Sequence, residues 1–345
     1  MKYQNDTQGR REFSATVDAN NSAMSQSILE NVQTSKIYFC PASENAAASY
    51  HLIYFITGNP GLISYYNTFL GTMYELLGTK FDGFYNQFHI YGQSLAGFED
   101  NDTPAATAPY SLEDQINLSF RSLQSQAIPS GLRKDQPYDS VILIGHSVGS
   151  YILLEILQRL RNSASPPNVK AGILLFPTVT HIAQSPSGVK ISTLLRIPDF
   201  PRKASFVAKT LVWLAPRAAL KWLVGLVTGM PHDAAEVTTA FLKSRMGIWQ
   251  ALHMAKDEME IITEDKWDED IWGIEHEEPD AKTEIPRLIF YFGENVRERL
   301  SLTSMWLETD KRTGPLGGGS YPGCFDSSKS AGEGTAINLK TCHAD

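Results

Sequence analysis

Short runs of branched apolar residues alternate along this chain with stretches in which apolar positions recur every three or four residues. The runs fall at 36 to 40, 51 to 56, 87 to 92, 141 to 144, 171 to 176 and 287 to 292, and each predicts a strand. Between them, helices are predicted from Ser64 to Leu77, from Ser111 through SLEDQINLSFRSL, and after Ser147. That alternation favours a largely parallel sheet covered on both faces, with ligands near the carboxyl ends of the strands. From Gln184 to Trp272 the pattern changes to a helical insertion with no strand run.

The stretch VILIGHSVGSYILLEIL, Val141 to Leu157, organises the rest. Four apolar residues suited to a buried strand run into Gly145-His146-Ser147-Val148-Gly149, and Tyr151, Leu154 and Leu157 then continue at helical spacing. A serine at such a strand-to-helix bend is held clear of the sheet, and flanking glycines let the helix pack closely. The blander reading is a tight turn with a solvated serine. The strand before it and the helix after it favour Ser147 as a nucleophile, with the positive end of the helix aimed at a developing oxyanion.

An earlier strand runs into Thr57-Gly58-Asn59-Pro60-Gly61, which reads either as an ordinary turn or as the loop that supplies an oxyanion donor. On the second reading the backbone N–H groups of Asn59 and Val148 form the oxyanion hole. Tyr65 and Tyr66 follow as pocket lining or plain packing.

Within the insertion, Thr193 to Met230 holds Arg196, Arg202, Lys203, Lys209, Arg217 and Lys221 against the one acid Asp199, among many Leu, Val and Ala with Trp213 and Trp222. Arg217 and Lys221 stand four apart and share a helix face, so the segment suits a helix lying in a lipid interface with its cations toward the headgroups. A hydrophobic cap over the site is the compatible alternative. The acids between Asp257 and Asp280 lack calcium-loop spacing and read as a solvated face.

Composition narrows the functional classes. The 345 residues are 42% hydrophobic, enough for a sizeable core, and the net charge of -8 with no basic block argues against a nucleic-acid partner. Cys40, Cys324 and Cys342 have neither zinc-site nor disulfide-framework spacing, so no metal is expected and a reducing compartment is the simpler reading. The first 35 residues are polar and read as a disordered lead-in with no secretory core, and no run of apolar residues is long enough for a conventional membrane span.

Four ordered blocks, TGNPGLISYY at 57 to 66, GHSVGSY at 145 to 151, LFPTVTHIAQSPSG at 175 to 188 and RLIFYFGEN at 287 to 295, resemble the lipid droplet-associated serine hydrolase family. The resemblance implies an α/β-hydrolase fold over 36 to 295, with a helical lipid-facing insertion at 184 to 272. It also implies an esterase or lipase acting on sterol esters or other neutral lipids, attached to lipid droplet and endoplasmic reticulum surfaces on their cytosolic face. Ser147 matches the family's nucleophile.

The carboxyl-terminal segment, 296 to 345, departs from the family pattern. Where the family has the triad acid, Val296 stands, and no Pro-His-Ala-Phe block follows. Glu294 is the substitute candidate for the acid. His343, in Cys-His-Ala-Asp at the end of the chain, is the candidate base, although a histidine so placed is usually inert. His146 faces the wrong way if Ser147 faces the site, and His181 precedes the expected acid. The segment is therefore read as an altered, poorly ordered terminus and the product as weakly active or inactive. Two functions follow: an ester hydrolase needing no cofactor, or a non-catalytic lipid-surface protein on the same scaffold.

Overall fold

In a computed structural model, the described residues are 33–41, 48–81, 85–102, 104–267, 271–272 and 286–292. The predicted lead-in up to residue 32, and Glu294, Val296, His343 and the rest of the carboxyl-terminal segment, lie outside them.

Six strands form one sheet: β1 (Lys36–Phe39), β2 (Ser49–Ile56), β3 (Asn86–Gln93), β4 (Ser140–His146), β5 (Val169–Leu175) and β6 (Arg287–Tyr291). Their order is β1-β3-β2-β4-β5-β6, with β1 antiparallel to β3 and every other pairing parallel. This is the mostly parallel sheet expected from the alternation of runs.

Period-two alternation along β2 divides the core. Tyr50, Leu52, Tyr54 and Ile56 point to one face, where they meet Leu112, Ile116 and Leu123 of α2 (Leu112–Gln124) and Tyr151, Ile152 and Leu154 of α3 (Val148–Leu160). Ile53 and Phe55 point to the other face and meet Leu70 and Leu77 of α1 (Asn67–Lys80). Thus α1 begins later than expected, because a single tighter turn, Ile63–Tyr66, precedes it. The predicted start of α2 is as read: Ser111 Oγ accepts from the Asp114 N–H at 3.1 Å and Asp114 Oδ2 accepts from the Ser111 N–H at 2.9 Å. A reciprocal cap of this kind is worth about 1 kcal/mol.

The order also fixes where a site forms. From β2 the chain crosses first to β3 on one side and later to β4 on the other, so the crevice at the carboxyl ends of β2 and β4 is the switch point of the sheet. The loop at 57 to 61 leaves one of these strands and Ser147 leaves the other.

Between β5 and β6, the described residues form a short tighter turn, Ile182–Gln184, and the α-helices α4 (Pro186–Leu195), α5 (Phe200–Leu214), α6 (Arg217–Thr228), α7 (His232–Lys243) and α8 (Gly247–Ile261). The neck of this insertion is closed by the His181 N–H, which donates to the Thr263 carbonyl at 2.7 Å. Not all of the insertion packs on the domain. Helix α8 does: Gln250 exchanges two hydrogen bonds with the Tyr110 backbone, at 2.7 and 2.8 Å, and Asp257 Oδ2 accepts from the Leu112 N–H at 2.9 Å. Helix α7 packs on the domain through Phe241, stacked on Phe98, whereas α6 meets α7 in a small separate core of Leu220, Val224 and Ala235.

Candidate active site

β4 delivers Ser147 to the carboxyl edge of the sheet in a backbone conformation of φ 54° and ψ -122°, half-buried, with α3 beginning at the next residue. A non-glycine residue there costs about 1–3 kcal/mol and persists only where its surroundings hold it. Three backbone hydrogen bonds do so: Ser147 N–H to the Leu175 carbonyl at 2.9 Å, and Ser150 and Thr178 N–H to the Ser147 carbonyl at 2.9 and 3.3 Å. Both flanking glycines are required by space. A Cβ at Gly145 would lie 2.4 Å from the Gly149 carbonyl oxygen, and one at Gly149 would lie 2.4 Å from that of Ile56.

The loop after β2 closes on this serine. A Cβ at Gly58 would meet the Ser147 Cβ at 3.1 Å, so the next residue, Asn59, is held beside the bend. Val148 is the first residue of α3, so its N–H has no acceptor within the helix and adds to the positive helix end.

Tyr66 bridges the two loops. Its hydroxyl accepts from the Gly58 N–H at 3.2 Å and lies 2.9 Å from His146 Nδ1. The phenol oxygen can accept from this nitrogen or donate to it, so the contact accommodates either tautomer of the ring. Burial pulls the His146 imidazole below its ordinary value and pushes the Tyr66 phenol up to about 12, so both are neutral near pH 7. His146 thus bonds Tyr66 and packs edge-on against Phe176. Tyr65 reaches the insertion, bonding Thr238 at 2.8 Å.

Two further neighbours of the site are not among the candidate residues of the sequence. Among the described residues, the hydrogen-bond partner of the Ser147 hydroxyl is Thr178 Oγ1, at 3.2 Å. Thr178 lies just past β5, two residues after Phe176, itself at φ 46°, and a hydroxyl so placed beyond a central parallel strand is the signal that could have found it. The second is Glu258 of α8. Asn59 Nδ2 donates to Glu258 Oε1 at 2.9 Å and to the Ala251 carbonyl at 3.0 Å, so the last helix of the insertion grips the loop beside Ser147. Glu258 is 5% exposed, which corrects the reading of the acid-rich stretch from 257 as wholly solvated. Burial, reinforced by the neighbouring Asp257 charge and opposed by the bond from Asn59, pushes its carboxyl up to about 7.

Four other described histidines have partners of their own: His51 with Ser140 and Asn86, His89 with Tyr138, His181 with Gln184, and His232 beside Asp233. Among the described residues, no group of three or more His, Cys, Asp or Glu is placed to hold a metal ion.

The apolar residues of α5 and α6 face outward: Phe206 is 74% exposed, Trp213 80% and Trp222 68%. Among the described residues no single helix is long and apolar enough to cross a membrane, and α5 and α6 would suffice only as a pair, bent by 117° at their junction. The expectation that Arg217 and Lys221 jointly face headgroups is corrected for Lys221. Its Nζ pairs with Glu236 Oε2 of α7 at 2.5 Å, so this cation turns into the insertion and leaves Trp222, Leu223 and Leu226 on the outer surface.

Residues 49–296 match the family model described as lipid-droplet associated hydrolase. Curated relatives include a lipid droplet-associated hydrolase of Gallus gallus, 30% identical over 70% of this chain and 68% of its own length. Another, of Rattus norvegicus, is 29% identical over 70% of this chain and 69% of its own.

Proposed function

Since the chain belongs to the lipid-droplet associated hydrolase family, we propose that it cleaves carboxylic esters of neutral lipids, of sterol ester or acylglycerol type, at a lipid droplet or endoplasmic reticulum surface facing the cytosol. The observation that carries this reading is Ser147, raised on a strained bend at the switch point of a parallel sheet, with the Asn59 loop pressed against it.

In the reaction, Ser147 Oγ attacks the acyl carbon while its proton passes to a general base. The carbonyl oxygen becomes an oxyanion held by the Asn59 and Val148 N–H groups, and the ester C–O bond breaks as the alcohol leaves with a proton. Water then attacks the acyl-serine, releasing the carboxylic acid and restoring the hydroxyl. No metal or organic cofactor enters these steps. The candidates for base and acid, His343 and Glu294, lie outside the described residues. The outward apolar face of α5 and α6 suits a substrate delivered from a lipid surface, and 193 to 230 is the segment proposed to make that contact.

One observation favours a second reading, a non-catalytic lipid-surface protein: the serine hydroxyl is met by Thr178 and not by an imidazole among the described residues. A fluorophosphonate probe separates the two. Labelling of the wild type that disappears in Ser147→Ala, together with turnover of a short-chain ester, supports the hydrolase. A folded wild type that is not labelled establishes the scaffold reading instead.

A further inference from the structure

Away from Ser147, a cavity of about 590 Å³ opens along the first turns of α5, between that helix and Trp249 of α8. Its walls divide by chemistry. Arg202, Lys203 and Lys209 supply three cations, against the single carboxylate of Asp199, while Phe206, Val207 and Trp249 are apolar.

The cations differ from their neighbours in how they are engaged. Lys221 is paired with Glu236, and Lys243 Nζ is spent on the Val212 and Ala215 carbonyls, at 3.1 and 2.8 Å, where it caps the end of α5. Arg202 instead lies over the Trp249 ring, its guanidinium carbon 5.8 Å from the centroid, and Lys203 Nζ donates to the Pro198 carbonyl at 2.9 Å. Neither Arg202 nor Lys209 forms an ion pair among the described residues. Burial pulls the Lys209 ammonium below its ordinary value, Asp100 opposes that effect, and the Arg245 charge adds to it. A bound anion would relieve both the burial and the crowding of like charge.

The apolar wall identifies what kind of anion fits. Phe206 and Val207 are 74% and 58% exposed, and they run on into the outward face that carries Leu211, Trp213 and Leu214. A ligand that satisfies both walls has an anionic head joined to an apolar tail. We infer that this cavity binds the phosphate-bearing head of an anionic phospholipid, so that the insertion selects negatively charged lipid surfaces. The inference deepens the proposed lipid contact of 193 to 230 and rests on it.

The test uses the full chain and two vesicle compositions, phosphatidylcholine alone and phosphatidylcholine with about 20% phosphatidylserine, in co-sedimentation at low and high salt. A basic residue at an anionic surface strengthens partition about fivefold, so Arg202 and Lys209 together give the wild type a preference of about 25-fold, which salt reduces. Arg202→Gln with Lys209→Gln should bring that preference close to unity without changing binding to phosphatidylcholine. Arg202→Lys with Lys209→Arg, which keeps both charges and controls for folding, should retain it. Equal binding of wild type to the two vesicles, or an undiminished preference in the glutamine variant, overturns the inference. So does calorimetric binding of inorganic phosphate as tight as that of the anionic vesicles, since the site would then take a free anion.

Failure of the underlying lipid-contact reading is visible separately. Trp213→Ser with Trp222→Ser should weaken binding to both vesicles by a similar factor and leave the ratio between them intact. Unchanged binding in that variant removes the apolar contact, and with it the lipid commitment of the cavity.

Discussion

Glu258 offers the sharpest test of how the insertion and the site are joined. Its carboxyl is 5% exposed and pushed up to about 7, from an ordinary value of 4.5, by burial first and the Asp257 charge second. Below pH 4.5 the folded and unfolded chains both hold the proton, and the group does not affect stability. Between 4.5 and 7 the unfolded chain releases a proton that the folded chain keeps, so stability falls as pH rises. Above 7 the full penalty applies. At about 1.4 kcal/mol for each pH unit of displacement, it amounts to about 3 kcal/mol. Glu258→Gln removes the ionisation but keeps a carbonyl oxygen to accept from Asn59 Nδ2, whose bond to Glu258 is 2.9 Å. Thermal unfolding followed by circular dichroism from pH 5 to 8 should therefore give the variant a Tm close to wild type at pH 5. At pH 8 its Tm should be higher by about 5–10 °C, at a few degrees per kcal/mol for a domain of this size. Some pH dependence remains in both proteins because the Asp102 carboxyl is also pushed up to about 7 by burial. The difference between the curves isolates Glu258. Parallel curves, or a variant less stable than wild type at pH 8, would refute a buried, largely neutral carboxyl at this position.

Other positions give narrower tests. Gly149→Ala places a Cβ 2.4 Å from the Ile56 oxygen and 2.6 Å from that of Thr57, where no side chain can yield. It should cost about 1–3 kcal/mol in thermal unfolding and, by displacing Ser147, lower ester turnover about 100-fold. Thr178→Val deletes the hydroxyl 3.2 Å from Ser147 Oγ and should lower the rate of fluorophosphonate labelling about 3- to 10-fold with Tm nearly unchanged. Tyr66→Phe leaves the Gly58 N–H without its acceptor and should destabilise by about 1–3 kcal/mol in urea unfolding, more than an exposed Tyr→Phe change would.

The strand-to-helix bend at Ser147 was legible because its evidence is local. The apolar run of β4, the two glycines and the helical spacing after Ser147 lie within one stretch, and each of the two glycine positions proves to lack room for a methyl group. The Ser111 cap was legible for the same reason. Glu258 was not, because its partner Asn59 is 199 positions away and an acid among acids has no pattern that marks burial. Lys221 misled in the opposite direction. Its spacing from Arg217 set both on one side of α6, yet spacing says nothing about Glu236 on the next helix, which draws the ammonium inward. Thr178 stood between these cases, in the right place after a strand but in a residue type common to many turns.

The physical link that follows from these contacts runs through α8. Its face toward the domain holds Tyr110 through Gln250, the start of α2 through Asp257, and Asn59 through Glu258 and the Ala251 carbonyl. From the same helix Trp249 supports Arg202 at the root of α5, whose outer residues are the exposed apolar ones. The helix that fixes the loop beside the serine is thus the one against which the apolar helix α5 packs. A free loop rich in Gly and Pro would have to be ordered each time an oxyanion forms, whereas a carboxamide held at two points by α8 is ordered beforehand. Placing those two points on the insertion, and not on the sheet, makes the geometry of the proposed oxyanion loop depend on the element proposed to meet the lipid.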